Sequence, residues 1–587
     1  MKKTVFISAV SAFIALSMIS CAFFEDETED YWANKDEWAA ENTVVSKYSS
    51  KSDDAWGCHD PKLFQDSDGT YYAYSTGWGE RVELRSSKDM VTWKKKSISV
   101  GVDSEFQSWV NSTESWAPTV IKQNGKYYMF HGIITGDEPN ACITLAISDS
   151  PEGPFIPASQ YNSSTYKTST LVRYAWSSSD SGYDDTYNVG GDWNTGFGGI
   201  DPEFVFDVAT GNLMTYTIGS TTCYAVTYGS WKGGIALIYV DKNTLKPICT
   251  TAGTSAYNSK AYAVGDVMDA PVDSIDGNQG KKLVGGSGAA YEGAQLIYNS
   301  STGYYYMFVS MGNLELEYRV GVGRSTEIDG TYTDASGNDM ASVTIANYHS
   351  IGSKISGGAE LDGEYGWRCP GGQSILRTRN GKIMLAEHSR TTFMGGDFVL
   401  RLHQMFFNSE GWPVLNQNDY YAYYSGYTSS GTESLSALTL SDIAGKYSTI
   451  LTVRGTDTYS TSTLESDYGF SYKDQSSKPE SVNKQDALAT ESVSMYISAD
   501  GTIYGDGSSS SYTGTVTLGS NGAATITLKN SSGTALGTFK GYFLHAVDFA
   551  KKSSTFSDHR TITFTTLCSD TTATEKGEYF WGNRVSN

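Results

Sequence analysis

The chain has 587 residues, of which 39% are hydrophobic, 13% aromatic and 18% charged, too apolar and too weakly charged for a disordered polypeptide. Its 41 Tyr and 61 Gly against 12 Pro describe many short strands joined by turns and argue against a helical bundle, because aromatic and β-branched side chains suit a pleated surface. A formal net charge of -22 repels phosphate and excludes electrostatic capture of nucleic acid.

At the N-terminus, Lys2-Lys3 followed by an apolar run from Val5 to Ile19 reads as a secretory signal over residues 1–20. It is too short and wrongly flanked for a membrane-spanning helix. Met18-Ile19-Ser20-Cys21 is similar to a bacterial lipobox, so Cys21 is expected to carry lipid after cleavage and to hold the protein on a membrane at the cell surface. Ordinary secretion is the alternative. Residues 21–50, with the acidic stretch Glu25 to Asp30, are expected to be a solvated tether. The remaining cysteines, Cys58, Cys142, Cys223, Cys249, Cys369 and Cys568, show no metal-binding spacing; disulfides and buried thiols are both compatible with export.

From residue 51 to 420 one phrase occurs five times: an apolar strand, a Gly turn, then a second strand, Tyr-rich in most copies. The first copy is Asp60-Pro61-Lys62-Leu63-Phe64 with Tyr71-Tyr72-Ala73-Tyr74, and the second is Ala117-Pro118-Thr119-Val120-Ile121 with Tyr127-Tyr128-Met129-Phe130. Later copies begin at Asp201-Pro202, Glu292-Gly293 and Gly371-Gly372. Radial repetition of such sheets is a β-propeller, whose innermost strands line one axis. Five copies therefore predict five blades and bring matched positions of distant repeats together.

At the start of the apolar strand the copies carry Asp60, Ala117, Asp201, Glu292 and Gly372, aligned to within about one residue. Three carboxyl groups around one channel mouth repel each other unless a task or a cation compensates, and such crowding drives their pKa values apart. A neutral carboxylic acid beside an ionised partner is the chemistry of glycoside hydrolysis. Taken singly, an Asp-Pro at a strand start is ordinary turn chemistry.

The stretches His59-Asp60-Pro61, Ser115-Trp116-Ala117-Pro118, Ile200-Asp201-Pro202, Glu292-Gly293-Ala294 and Glu387-His388-Ser389-Arg390 resemble glycoside hydrolase family 43, and within it the secreted bacterial endo-α-1,5-L-arabinanases. Tyr228 to Ile235, Arg319 to Ser325, His403 to Asn408 and Gly411 to Val414 are similar as well. The resemblance implies a five-bladed, inverting enzyme acting on internal bonds of arabinan, a plant cell-wall polysaccharide. Asp60 would be the general base, Glu292 the general acid, and Asp201 the group that positions Glu292 and raises its pKa. It also implies a calcium ion on the axis, held by His388 and mostly by water, since calcium prefers oxygen; a hydrogen-bonded core histidine is the alternative. Aromatic faces cover the C–H patches of sugars, which makes Trp116 the leading stacking candidate, with Trp78 and Trp193 behind it, for which a buried packing role is the alternative, and Ser230 as a further contact. A monomer is expected. The chain departs from the family pattern at Thr119, Gly293-Ala294 and Gly372-Gln373, none of which removes a carboxyl. The insert from Ser159 to Gly199 is expected to be a loop over the cleft rim.

The alternatives are an exo-acting α-L-arabinofuranosidase or β-xylosidase of the same family, and, from another class, a non-catalytic glycan-binding lipoprotein.

Residues 435–587 lack the repeated phrase. Alternation over residues 492–505, 512–518, 523–529 and 561–567, with Asn521-Gly522 as a hairpin signal, predicts a small β-barrel or sandwich, similar to the C-terminal β-domain of larger endo-arabinanases.

Overall fold

A computed structural model describes residues 54–586, apart from 105–111, 135–140, 175–196, 231–232, 256, 274–278, 286–290, 345–346, 362–365, 392–397, 421–437, 453–457, 461, 463–480, 484–489, 506, 509–510 and 548–559. The signal segment, Cys21 and the tether lie outside the described residues, as does Trp193.

Antiparallel pairing of neighbouring strands builds five sheets in succession around an axis. Their innermost strands are Lys62–Gln65, Trp116–Gln123, Glu203–Phe204, Tyr291–Asn299 and Trp367–Arg377, each belonging to one copy of the repeated phrase. We number the blades I to V in that order. The second strand of blade I, Tyr71–Ser75, is buried along its whole length, and those of blades II to IV over most of theirs, because a neighbouring blade covers each face. That sandwiching is why the Tyr-rich strands are nearly continuous in apolar character rather than alternating.

The core accordingly lies between blades. Tyr72, Tyr74 and Val82 meet Val120 and Met129 between I and II; Phe130 and Leu145 meet Phe204, Val226 and Ile238 between II and III. Val205 and Leu237 meet Leu296 and Met307 between III and IV, and Phe308 and Val322 meet Ile375 and Leu385 between IV and V. The ring closes where Trp56, Tyr71 and Ala73 pack on Met384 and Leu400. There the chain just before blade I pairs with blade V, Gly57 N–H donating to Phe398 O at 2.8 Å and Leu400 N–H to Ala55 O at 2.9 Å.

The insert expected as a rim loop is in part a strand: Thr170–Tyr174 pairs with Ala141–Ser148 as the fourth strand of blade II. Leu171 and Val172 are buried in the II–III core, an apolar pair too short for the Ser-rich composition around it to reveal. All six described cysteines are buried free thiols.

The C-terminal strands form a closed barrel: Gly445–Leu451, Val493–Ile497, Thr502–Gly505, Tyr512–Leu518, Ala523–Asn530, Ala535–Val547, Arg560–Leu567 and Tyr579–Ser586. At the predicted hairpin Asn521 and Gly522 take φ of 57° and 71°, the left-handed region that Asn-Gly favours. The barrel interior is filled by Tyr447, Phe539, Phe543, Phe564 and Phe580, so it is a packed core rather than a ligand lumen. It docks on blades IV and V: Tyr579 and Trp581 join their core, Tyr579 OH donates to Pro413 O at 2.8 Å, and Asn418 and Asn583 exchange two amide hydrogen bonds at 2.8 Å.

Candidate active site

One backbone feature builds the site. At the head of the inner strand, every blade places a residue at positive φ: Asp60 (51°), Ala117 (42°), Asp201 (57°), Gly293 (58°) and Gly372 (56°). For the non-Gly residues this costs on the order of 1–2 kcal/mol each, and Ala gains nothing locally in return. In blades II, IV and V the strand register slips at this residue, between Trp116 and Thr119, Glu292 and Gln295, and Gly371 and Ser374. Such a bulge bends the strand head and re-aims the side chains on either side of it. The sequence alignment is corrected by one residue here. Gly293, not Glu292, is the counterpart of Asp60 and Asp201, and Glu292 occupies the preceding position, shared with His59, Trp116, Ile200 and Gly371.

The structure brings Asp60, Asp201 and Glu292 to the same end of the propeller axis. Asp60 keeps 16% of its side chain exposed; its Oδ2 accepts from Thr76 Oγ1 at 2.8 Å, and Thr76 Oγ1 in turn accepts the Ala117 N–H at 3.0 Å. Asp201 is buried, its Oδ2 accepting the Gly293 N–H at 3.0 Å. Burial, and then the charge of Asp60, pushes Asp201 up to about 7, with Lys62 opposing. Glu292 is pushed up to about 8 by burial and then by Asp201, against the hydrogen bond from Tyr318 and with a further push from Asp60. Three carboxyl groups in reach of each other cannot all ionise at neutral pH, and the pair formed by Asp201 and Glu292, both raised, retains a proton there.

Several residues that motif reading passed over hold this geometry. Tyr318 OH donates to Glu292 Oε1 at 2.7 Å. Gln373, noted only as a departure, donates through Nε2 to Gly293 O at 2.6 Å and accepts at Oε1 from Ser310 Oγ at 2.7 Å, while Ser310 Oγ accepts the Gly372 N–H at 2.9 Å. The Gly293 peptide is thus clamped on both sides, with Asp201 on its N–H. Beneath the acids, buried Lys62 pairs with Glu203 at 3.2 Å. The only sequence signal for these residues is proximity to a repeat motif; their partners lie between 26 and 141 positions away along the chain.

His388 is fully buried, with its ring parallel to that of Tyr318 (5.7 Å, 4°). Its Nδ1 lies 3.1 Å from Asp60 N and 3.5 Å from Asp60 Oδ1, and its Nε2 is buried with no hydrogen-bond partner among the described residues. Burial holds the ring well below the usual histidine range, hence neutral. Because Nδ1 accepts the Asp60 N–H, the neutral ring carries its proton on Nε2, for which the described residues offer no acceptor. Ligand atoms of His59, Asp60 and His388 lie within 4.8 Å of one another, close enough to share a cation.

Of the aromatic candidates, Trp116 is half-buried, its Nε1 donating to Glu114 Oε2 at 3.0 Å, and it occupies the same strand-head position as Glu292. Trp78 is 68% exposed, and its neighbour Gly77 bridges Ser115, which puts it on the rim beside Trp116. Ser230 is 2% exposed and sits under Gly198, where an added Cβ would fall 2.4 Å from its Oγ. It offers little surface to a ligand.

The model of glycosyl hydrolases family 43 matches residues 55–171 and 236–413, and that of a C-terminal lipocalin-like domain matches residues 423–582. Asp60 and Glu292 fall inside the first match and Asp201 in the gap between its two parts. The chain is 28% identical to the extracellular endo-α-(1→5)-L-arabinanase 2 of Bacillus subtilis, over 67% of this chain and 75% of that protein. It is also 28% identical to the extracellular endo-α-(1→5)-L-arabinanase of Thermotoga petrophila, over 66% and 74% respectively. The crystal structure of the endo-1,5-α-L-arabinanase from T. petrophila shares the fold, with a TM-score of 0.65 at 24% identity, over 90% of this chain and 99% of that one.

Proposed function

The chain belongs to the glycosyl hydrolases of family 43, and from that membership we propose that it cuts internal α-1,5-L-arabinofuranosidic bonds of arabinan with inversion, outside the cell. The observation that carries this reading is the division of labour among the carboxyls. Glu292 is pushed up to about 8 by burial and then by the charge of Asp201, while Asp60 stays partly open to solvent with a hydroxyl donor on its Oδ2. Glu292 gives its proton to the glycosidic oxygen as the bond to the anomeric carbon breaks. Asp60 takes a proton from the water that attacks the opposite face of that carbon. Asp201 touches the Gly293 peptide rather than the substrate, and its charge keeps the proton on Glu292. Trp116 and Trp78 offer ring faces for flanking arabinose units.

A calcium ion on the axis would be held by His388 and water, and would supply positive charge beside the carboxyl groups. The substrate class is supported by the names of the relatives above, and the location by their being extracellular. Anchoring through lipid on Cys21 and a monomeric state complete the proposal.

Digestion of linear arabinan tests it. Early release of mixed oligosaccharides, with the new reducing end formed as the β-anomer by NMR, is the expected result. Monosaccharide alone would make the enzyme exo-acting, an α-anomer would remove inversion, and binding without new reducing ends would remove catalysis.

A further inference from the structure

A cavity of about 760 Å³ opens at the junction of the propeller and the barrel, bounded by Tyr304, Arg324, Thr333, Glu410, Ser569 and Thr571 among others. Strand directions place it on the face opposite the acids. Inner strands begin at the carboxylate end, so third strands, which run the same way, end at the other. Arg324 and Ser325 close the third strand of blade IV, Arg319–Ser325, and Glu410 and Trp412 follow the third strand of blade V, Phe398–Phe407.

The walls are preformed. Glu410 binds Lys540 and Ser569 of the barrel, Ser336 Oγ donates to Lys576 O at 2.8 Å, and the Arg324 guanidinium lies over the rings of both Tyr304 (4.2 Å) and Trp412 (4.0 Å) while donating to Glu410 O at 2.8 Å. The rim carries hydroxyls, Thr326, Thr331 and Thr571, and the exposed carboxylate of Glu327. Carboxylates and a protein charge of -22 disfavour a phosphate or an acidic polymer, and the lining has too little apolar surface for a lipid or drug-like ligand. Interleaved hydroxyls, a carboxylate and the Arg324 guanidinium laid over the aromatic rings suit a neutral polyhydroxylated chain, whose hydroxyls both donate and accept.

We propose that this cleft is a second, non-catalytic site for a neutral polysaccharide segment, holding arabinan on the face opposite the site that cuts it; the choice of arabinan rests on the function proposed above. Holding a polymer at two points raises the effective concentration of its bonds at the catalytic site, whereas a substrate too short to span both gains nothing.

The test uses the full chain with Glu292→Gln to stop turnover, titrated calorimetrically with linear arabinohexaose. Two sites per chain are expected, falling to one when the exposed Thr571→Trp is added to fill the cleft, and the second site weakening at least tenfold with Glu327→Ala. In the active background Thr571→Trp should lower kcat/KM several-fold on polymeric arabinan and leave it unchanged on arabinotriose. One site in the Glu292→Gln chain, or a second site that survives both cleft variants, overturns the proposal. Should the unmodified chain fail to cut arabinan, the functional reading falls by itself; a sugar signal abolished by Thr571→Trp would still establish the cleft, and its absence would remove it.

Discussion

Replacing Asp201 by Asn keeps the volume of the side chain and an oxygen for the Gly293 N–H, 3.0 Å away, but deletes the negative charge that ranks next to burial in raising Glu292. Pushed up to about 8, Glu292 can carry a proton at neutral pH, where an ordinary glutamate would be almost wholly ionised. The acid must carry its proton to work, so activity is present below this pKa and lost as pH rises through it. Removing the second-largest cause should move the alkaline limb of kcat/KM down by on the order of one unit, about a tenfold loss at any pH above both limbs. The assay is kcat/KM for an arabino-oligosaccharide from pH 5 to 10, which reports groups of the free enzyme. An aryl arabinofuranoside whose leaving group needs no proton serves as control and should lose little of its alkaline activity. An alkaline limb that stays in place or moves up in Asp201→Asn would refute the coupling between these carboxyls.

Tyr318→Phe should shift the same limb the opposite way, because the hydroxyl donated to Glu292 stabilises the ionised form; kcat should fall at the same time if the bond also aims the acid. Glu292→Gln should lower kcat on arabinan by about 10² to 10⁴ with the fold intact. Since the folded pKa of Glu292 is raised, its contribution to stability is lost as pH climbs from the ordinary carboxylate range towards 8, so this variant should melt above the parent at pH 8 and alongside it below about pH 4. Gly372→Ala would set a Cβ 2.4 Å from Asp60 Oδ1 and 2.7 Å from His388 Nδ1 at a φ of 56°; a loss of roughly 2 kcal/mol or more in denaturant titration is expected, with activity falling too. A chelator should lower the melting temperature and activity of the parent, calcium should restore both, and His388→Ala should abolish the response.

Composition and periodicity alone determined the all-β class, the five repeats and the hairpin at Asn521-Gly522, because strand alternation and turn chemistry are local properties written in neighbouring residues. The nomination of Asp60, Asp201 and Glu292 drew on the same repetition, since blades that repeat in sequence must converge in space. What the fold alone decided is everything that depends on residues distant along the chain. The one-residue offset of Glu292 shows only in the backbone, where Gly293 and not Glu292 takes the positive φ of Asp60 and Asp201. The barrel strands Gly445–Leu451, Ala535–Val547 and Tyr579–Ser586 escaped the pattern because a closed barrel docked on two blades buries parts of both faces and blurs their alternation. The clamp of Gln373, Ser310 and Tyr318 joins the neighbouring blades IV and V, and Thr76 holds Asp60 from the end of a second strand. A carboxyl's proton affinity depends on the burial and charges around it, and those surroundings exist only once five separate segments have met.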